Sequence, residues 1–278
     1  MRLAWLTDIH LDFVSDPERQ RFVQEIVAAE PDAVAISGDI AVAGTFAKEL
    51  KQLAAAVDCP VYFVLGNHDY FGGSIADVRN RAAQLAQSTD PVDSQVFWLP
   101  AAGPISLVDD TVLIGHGGWG DGRSGRFFES HLVLHDYLKI EELAAQFDAS
   151  KHKGKLPQAL FQKLNQLGDE AADCLRTLLP AALQQAGHVM LLMHVPPFRD
   201  ACWYNGRLSD DIWAPHFVCE AAGEYLRTEM QQHPDQRLTV LCGHTHGEGT
   251  TDILPNLHVI TGKAEYGKPA VQRVFDVH

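Results

Sequence analysis

The sequence predicts an α/β protein built on a parallel sheet, and three observations carry that expectation. Short apolar runs at residues 3–7, 33–37 and 61–65 have strand length and read as fully buried strands. Amphipathic helical stretches separate them, so strand, helix, strand, helix, strand follow at the lengths of right-handed βαβ units. Each run also ends in polar residues: Asp8-Ile9-His10, Gly38-Asp39 and Gly66-Asn67-His68-Asp69. In open α/β sheets the carboxyl ends of the strands are where ligands bind.

Taken in order, the first strand leads into a helix that Ser15 or Asp16 can cap. Pro17 suits its first turn, and Phe22, Val23, Ile26 and Val27 form its apolar face. The next helix spans about 45–57, with Phe46, Leu50, Leu53 and Val57 on one face. After Asp69, Ser74 can cap a helix that turns Ile75, Val78, Ala82 and Leu85 inward. Short strands are expected near 95–99, 105–107 and 111–115, followed by a glycine-rich loop from His116 to Arg123. From about 127 to 187 helix dominates, with Leu156, Leu160, Leu164, Leu167, Ala171, Leu175 and Leu178 in one packing stripe that Pro180 should kink or break. A buried strand at 189–193 ends in His194, and a polar loop runs on to Pro215. A helix near 219–232 precedes the strand 238–242, which ends in Gly243-His244-Thr245-His246; residues 257–261 and 270–276 read as closing strands. Residues 1–278 carry no Pro-, Gly- or Ser-rich linker and no internal repeat, so the expectation is a single domain with a mainly helical insertion at about 127–187.

Composition narrows the function. Of 278 residues 46% are hydrophobic, enough for a sizeable core, and the net charge is −14. That charge argues against a general nucleic-acid or anionic-membrane binder, both of which need a basic face. An anionic substrate stays open, because bound metal ions can invert the sign of a pocket. Fourteen histidines are roughly twice the ordinary usage. Five cysteines, Cys59, Cys174, Cys202, Cys219 and Cys242, form no C-x-x-C pair and read as buried reduced thiols. No apolar run nears the roughly 20 residues that span a bilayer, and the amino terminus lacks a signal-peptide core. A reducing, cytoplasmic setting is expected.

Five strand ends therefore deliver Asp8, His10, Asp39, Asn67, His68, His194, His244 and His246 to one rim. A nitrogen- and oxygen-rich set without thiolate suits Mn, Fe, Zn, Co or Ni. His244 and His246, with one residue between them, are expected to serve two neighbouring ions rather than to clamp one. Asp8 and His10 have the same spacing in a turn, where both can reach one ion. Asp8-x-His10, Gly38-Asp39, Gly66-Asn67-His68-Asp69, His194 and Gly243-His244-x-His246, in this order, resemble the calcineurin-like metallophosphoesterases. The resemblance implies a four-layer α/β/β/α sandwich of two mixed sheets, with two metal ions (Mn, Fe or Zn) at the strand carboxyl ends. It assigns Asp8, His10 and His246 to the first ion, Asn67, His194 and His244 to the second, and Asp39 to both. His68 would stabilise the transition state or protonate the leaving oxygen, with Asp69 orienting it. Where many members carry a further acid after Gly-Asp, this chain has Ile40-Ala41-Val42, and Val195 follows His194 where some carry a second His.

Two ions ~3.5–4 Å apart can polarise a phosphoryl oxygen and supply a bridging hydroxide for in-line attack. The activity implied is thus hydrolysis of a phosphoester. A small phosphorylated substrate, diester or monoester, is preferred to a phosphoprotein, because the chain is acidic and lacks the arginine-rich clamp of the protein phosphatases. A catalytically silent protein-binding scaffold is the reading from another class; the presence of all seven ligand positions and His68 speaks against it. For substrate recognition the candidates are His116, Trp119, Arg123, Arg199, Tyr204 and Arg207, with Trp203 and Trp213 as further stacking surfaces. His131, His135, His152, His188, His216, His233 and His258 are read as ordinary.

Overall fold

The computed structural model describes residues 1–85, 95–148, 150 and 155–278; His152 lies outside them, as does part of the 127–187 stretch. Two mixed sheets stack face to face. In the first, β1 (Arg2–Leu6), β2 (Ala33–Ser37), β3 (Val61–Val64) and β4 (Val96–Trp98) run parallel, and a later strand pairs antiparallel with β1. The second contains β5 (Ile105–Val108), β6 (Thr111–Gly115), β7 (His188–Leu192), β10 (Arg237–Cys242), β11 (Gly249–Leu254) and β12 (Leu257–Thr261), in the order β11-β12-β10-β7-β6-β5. Its centre, β6-β7-β10-β12, is parallel. The chain closes with β13 (Arg273–Asp276) on the edge of the first sheet. Between β7 and β10 in the chain, β8 (Trp203–Tyr204) and β9 (Arg207–Leu208) form a small hairpin.

The period-two alternation of each strand explains the layering. Along β1, Leu3 and Trp5 face the other sheet, where Met190, Leu192 and Leu241 meet them. Ala4 and Leu6 face outward onto the helices α1 (Asp16–Ala28), α2 (Phe46–Val57) and α3 (Ile75–Leu85). The remaining helices are α4 (Leu99–Ala102), α5 (Asp136–Lys139), α6 (Glu141–Ala144), α7 (Gln158–Leu183), α8 (Ala214–Phe217) and α9 (Glu220–Gln232). α7 and α9 cover the outer face of the second sheet. Helices, sheet, sheet, helices is the four-layer sandwich.

Local sequence accounts for most of the boundaries. Ser15 caps α1 by accepting from Glu18 N, and Pro17 sits in its first turn. Phe22 and Ile26 are buried as expected, whereas Val27 is exposed, because the helix offers the sheet a narrower stripe than four residues. Ser74 caps α3 through Asp77 N. Pro180 does not end α7, which runs three residues further. A proline there forfeits one backbone hydrogen bond near the terminus, and burial of Leu178, Leu179, Ala182 and Leu183 against the second sheet outweighs it. The helix-rich stretch is shared between cores: Leu156, Leu160, Leu164 and Leu167 join the helices of the first sheet, while Ala171 to Leu183 belong to the second. All five cysteines are free. Among the described residues no helix is long and apolar enough to cross a membrane.

Candidate metal centre

Parallel β1, β2 and β3 end on the rim where β7 and β10 of the other sheet end, so five loops converge there. Backbone conformation then aims the side chains. Asp8, His10, Asp39, His244 and His246 all have positive φ, between 40° and 68°. This left-handed region is rare for residues with a Cβ but is most tolerated by Asp, Asn and His. The His244–His246 segment is therefore not extended, a form in which residues two apart share a face. Its two imidazoles separate, His246 toward His10 and Asp8, His244 toward His194.

The rim holds two neighbouring groups of acceptors. In one, Asp8, His10, Asp39 and His246 each present a ligand atom, all within 4.8 Å of one another. Nε2 of His10 and of His246 face each other at 3.3 Å, and His10 Nε2 lies 3.7 Å from Asp39 Oδ2. In the other, His194 Nε2 is 3.0 Å from Asn67 Oδ1 and 3.3 Å from Asp39 Oδ1, and the His244 ring is 4.9 Å from that of His194. Asp39, with one oxygen on each side, joins them.

The surrounding hydrogen bonds fix which atoms point inward. His194 Nδ1 donates to the Ser37 carbonyl at 3.0 Å, which leaves Nε2 as a lone pair facing two oxygens. His244 Nε2 donates to the His216 carbonyl at 3.2 Å, leaving Nδ1 free. Asn67 gives its amide hydrogen to Asp136 at 2.9 Å, so its Oδ1 turns to the rim. Asp8 accepts from the Thr7 hydroxyl and the His244 amide. Lone pairs brought face to face in a buried site repel unless a cation lies among them. The donor set of imidazoles, carboxylates and one carboxamide fits borderline divalent metals.

Electrostatics agrees. Burial lowers the pKa of His10 to about 3; in His244 burial and then His194 lower it to about 3, so both imidazoles are neutral. Burial, then the charges of Asp8 and Asp69, push the Asp39 carboxyl up. Asp8 is held down: burial would raise it, but the hydrogen bond from His246 and the nearby imidazoles outweigh that.

His68 stands beside the cluster of Asp8, His10, Asp39 and His246 rather than within it. Its ring packs on Phe71 and His10, with centroids 4.3 and 4.5 Å away, and its Nε2 is 3.4 Å from the Tyr266 hydroxyl. Burial, then His10 and His194, lower its pKa to about 2. Asp69 does not contact this ring, which corrects the expectation that it orients His68. Its carboxylate accepts from the amides of Ile40, Ala41 and Gly66, splicing the loop after β2 to the loop after β3. Among the described residues His68 Nδ1 is buried with no hydrogen-bond partner.

Above the rim opens a cleft of about 250 Å³, bordered by Asp39, Asn67, His68, His244 and His246 below. Its walls include Phe71, Asp136, Tyr204, Trp213, Phe217 and Tyr266. Of the substrate candidates, Tyr204 and Trp213 border it and the others do not. Trp119 is buried against Tyr70, and Arg123 is paired with Asp121 and Asp169. His116 accepts from Gly118 N within its own loop. That loop is glycine-rich because its backbone lies against Leu65 and His216, where Gly117 and Gly120 leave no room for a Cβ. Arg199 is paired with Asp211, Arg207 is exposed on the hairpin, and Trp203 packs over Gly249. Sequence reasoning missed Tyr266 and Asp136, and His135, read as ordinary, borders the cleft.

Comparison with known proteins gives a consistent result. The family model for calcineurin-like phosphoesterases matches residues 1–248. No curated protein matches the chain significantly in sequence. In structure it is similar to the phosphopantetheinyl hydrolase PptH from Mycobacterium tuberculosis, with a TM-score of 0.62 and 14% identity over 96% of this chain and 90% of that one. It is also similar to a dimetal phosphatase from Danio rerio, with a TM-score of 0.52 and 14% identity over 95% and 87%. At such identities the structural likeness speaks for the fold, while the family model rests on the motif-bearing sequence itself. The chain belongs to the calcineurin-like phosphoesterase family and is a metal-dependent hydrolase of phosphoesters.

Proposed function

We propose that the protein hydrolyses a small organic phosphoester at two metal ions held on this rim. Asp8, His10 and His246 would hold one, Asn67, His194 and His244 the other, and Asp39 both. The observation that carries the reading is the convergence of lone pairs on both sides of Asp39 at the floor of a narrow cleft. Bound there, the metals supply Lewis acidity and an activated water at neutral pH.

The rest falls to the chain. Loops after five strands fix the ligands before substrate arrives, so little reorganisation remains for the reaction. His68 and Tyr266 form one side of the cleft above the ligands. Burial keeps the His68 imidazole neutral in the free protein, and the negative charge of a phosphoryl group alongside would raise its proton affinity at Nε2. A proton at that atom is placed to reach a departing alkoxide, a poor leaving group without one. A cleft of about 250 Å³ admits a small ester more readily than a folded phosphoprotein.

The test is a panel of phosphomonoesters, phosphodiesters and cyclic nucleotides, assayed with Mn, Fe and Zn added separately. Hydrolysis of at least one class, with two metals per chain by elemental analysis, is expected. A fully loaded protein inert toward the whole panel would favour the scaffold reading.

A further inference from the structure

The walls of the cleft carry a chemical signature of their own. Five aromatic rings border it, those of Phe71, Tyr204, Trp213, Phe217 and Tyr266. The Lys139 ammonium lies over Phe71, 5.1 Å from its centroid, whereas among the described residues no lysine or arginine stands over Tyr204, Trp213 or Phe217. Tyr204 and Trp213 lie nearly parallel, 11° apart in plane with centroids 6.3 Å apart, and Phe217 lies 5.8 Å beyond Trp213. Tyr204 is 54% and Trp213 42% exposed, so both keep part of their ring surface open even though they stack on each other. Within the same cleft stands the carboxyl of Asp136, itself 5% exposed.

These surfaces select by charge. The face of an aromatic ring is negative and attracts cations, and a carboxylate among such rings does the same. A second anionic group placed against Tyr204, Trp213 and Phe217 would meet both, and no lysine or arginine among the described residues lies over those three rings to offset them. An uncharged aliphatic group would gain apolar contact but would leave the buried Asp136 carboxylate without a counter-charge. A compact cation satisfies rings and carboxylate together.

Resting on the phosphoesterase reading above, we propose that the substrate is a phosphoester whose alcohol carries an ammonium group. The ammonium sits against Tyr204, Trp213 and Phe217, with Asp136 as its counter-charge, while the phosphoryl group lies on the metal rim. Hydrolysis breaks the phosphorus–oxygen bond to that alcohol and forms one to the oxygen of water. A proton from that water ends on the departing alkoxide.

The decisive comparison sets the methyl phosphodiester of choline against that of 3,3-dimethylbutanol, which keeps shape and bulk but replaces nitrogen by carbon. Stopped-flow tryptophan fluorescence reads binding to the metal-loaded protein before turnover. The choline ester should bind roughly tenfold or more tightly than its isostere. Trp213→Leu, which keeps apolar bulk but loses the ring face, should bring the ratio close to one; a ratio taken within each variant is insensitive to partial unfolding. Equal binding of the two esters, binding of neither, or an unchanged ratio in Trp213→Leu overturns the proposal. Hydrolysis of bis(p-nitrophenyl) phosphate, measured alongside, tests the phosphoesterase reading separately: its absence would sink that reading and leave the charge ratio to stand or fall alone.

Discussion

Replacing Asp136 by alanine should weaken one metal site and spare the other. Asp136 and Asn67 are 5% and 8% exposed, and the 2.9 Å bond from the Asn67 amide to Asp136 Oδ1 is what points Asn67 Oδ1 at the rim. Without the carboxylate, a buried amide donor loses a charge-assisted partner, at a cost of about 1.5–3 kcal/mol. The carboxamide can recover some of this by rotating half a turn, which brings nitrogen rather than oxygen to the ion. Affinity for the ion at Asn67, His194 and His244 should therefore fall roughly 10- to 100-fold, the usual range when a group behind a ligand is removed. Asp8, His10 and His246 take their orientation from other groups, so the first ion should bind as before. Stepwise metal titration by equilibrium dialysis, with elemental analysis at each step, resolves the two affinities. Asp136→Asn keeps an acceptor oxygen without the charge and should fall between the wild type and alanine. Equal weakening of both ions, or of neither, would refute the argument, since the first means general unfolding and the second means that Asn67 orients itself.

Three further outcomes follow from the same geometry. His68→Ala should lower turnover roughly 10²- to 10⁴-fold while both metals stay, because the ring lies beside the ligand groups; loss of a metal by elemental analysis would mean His68 is a ligand. Gly66→Ala changes no ligand, yet its Cβ would collide with the Asp39 carboxylate and backbone and lie 2.8 Å from His194 Cε1, so metal content should fall at both sites; full loading in this variant would show that the loop can yield. Burial lowers the pKa of His216 from 6.5 to about 4, so the unfolded chain takes up a proton first as pH drops. The stability contributed is complete above pH 6.5 and lost as pH falls to about 4, amounting to about 3 kcal/mol at most. Urea unfolding of metal-free protein at pH 7 and pH 4.5 should show a shallower acid loss in His216→Asn, and matching slopes would exclude His216 as a source.

The legible part of this molecule is the part whose physics is local. Buried parallel strands announce themselves as short apolar runs, and the candidate ligands follow each run within a few residues, so β1, β2, β3, β7 and β10 and their polar ends could be read directly. β11 could not, because Gly249–Leu254 alternates exposed and half-buried positions on a sheet edge and has no apolar run. The cleft walls were hard to read for a different reason. Tyr266 reaches the rim from a loop that leaves β12 in one sheet and returns to β13 in the other, so its place depends on how the sheets stack. Asp136 lies in the helix-rich stretch, where nothing in sequence separates it from a solvated acid. Trp119 and Arg123 misled because a glycine-rich loop has two causes, ligand approach and backbone approach, and here the second operates.

The motif residues serve the backbone as well as the metals. Five of the eight non-glycine residues with positive φ among the described residues are proposed ligands: Asp8, His10, Asp39, His244 and His246. A chain leaving a strand in extended form would throw residues two apart onto one face and the next onto the other. A single left-handed residue turns it sharply enough that Asp8 and His10, or Asp39 and its neighbours, meet at one point. Each such turn costs an L-residue about 1–2 kcal/mol, least for Asp, Asn and His. The residue types that ligate borderline metals are thus those that best tolerate the turn needed to aim them. Replacement of a ligand by a β-branched residue would then lose twice, once in coordination and again in the backbone, whereas Asp39→Asn would lose mainly charge. That asymmetry gives metal affinity and metal-free stability separate dependences on the side chain at each of these positions.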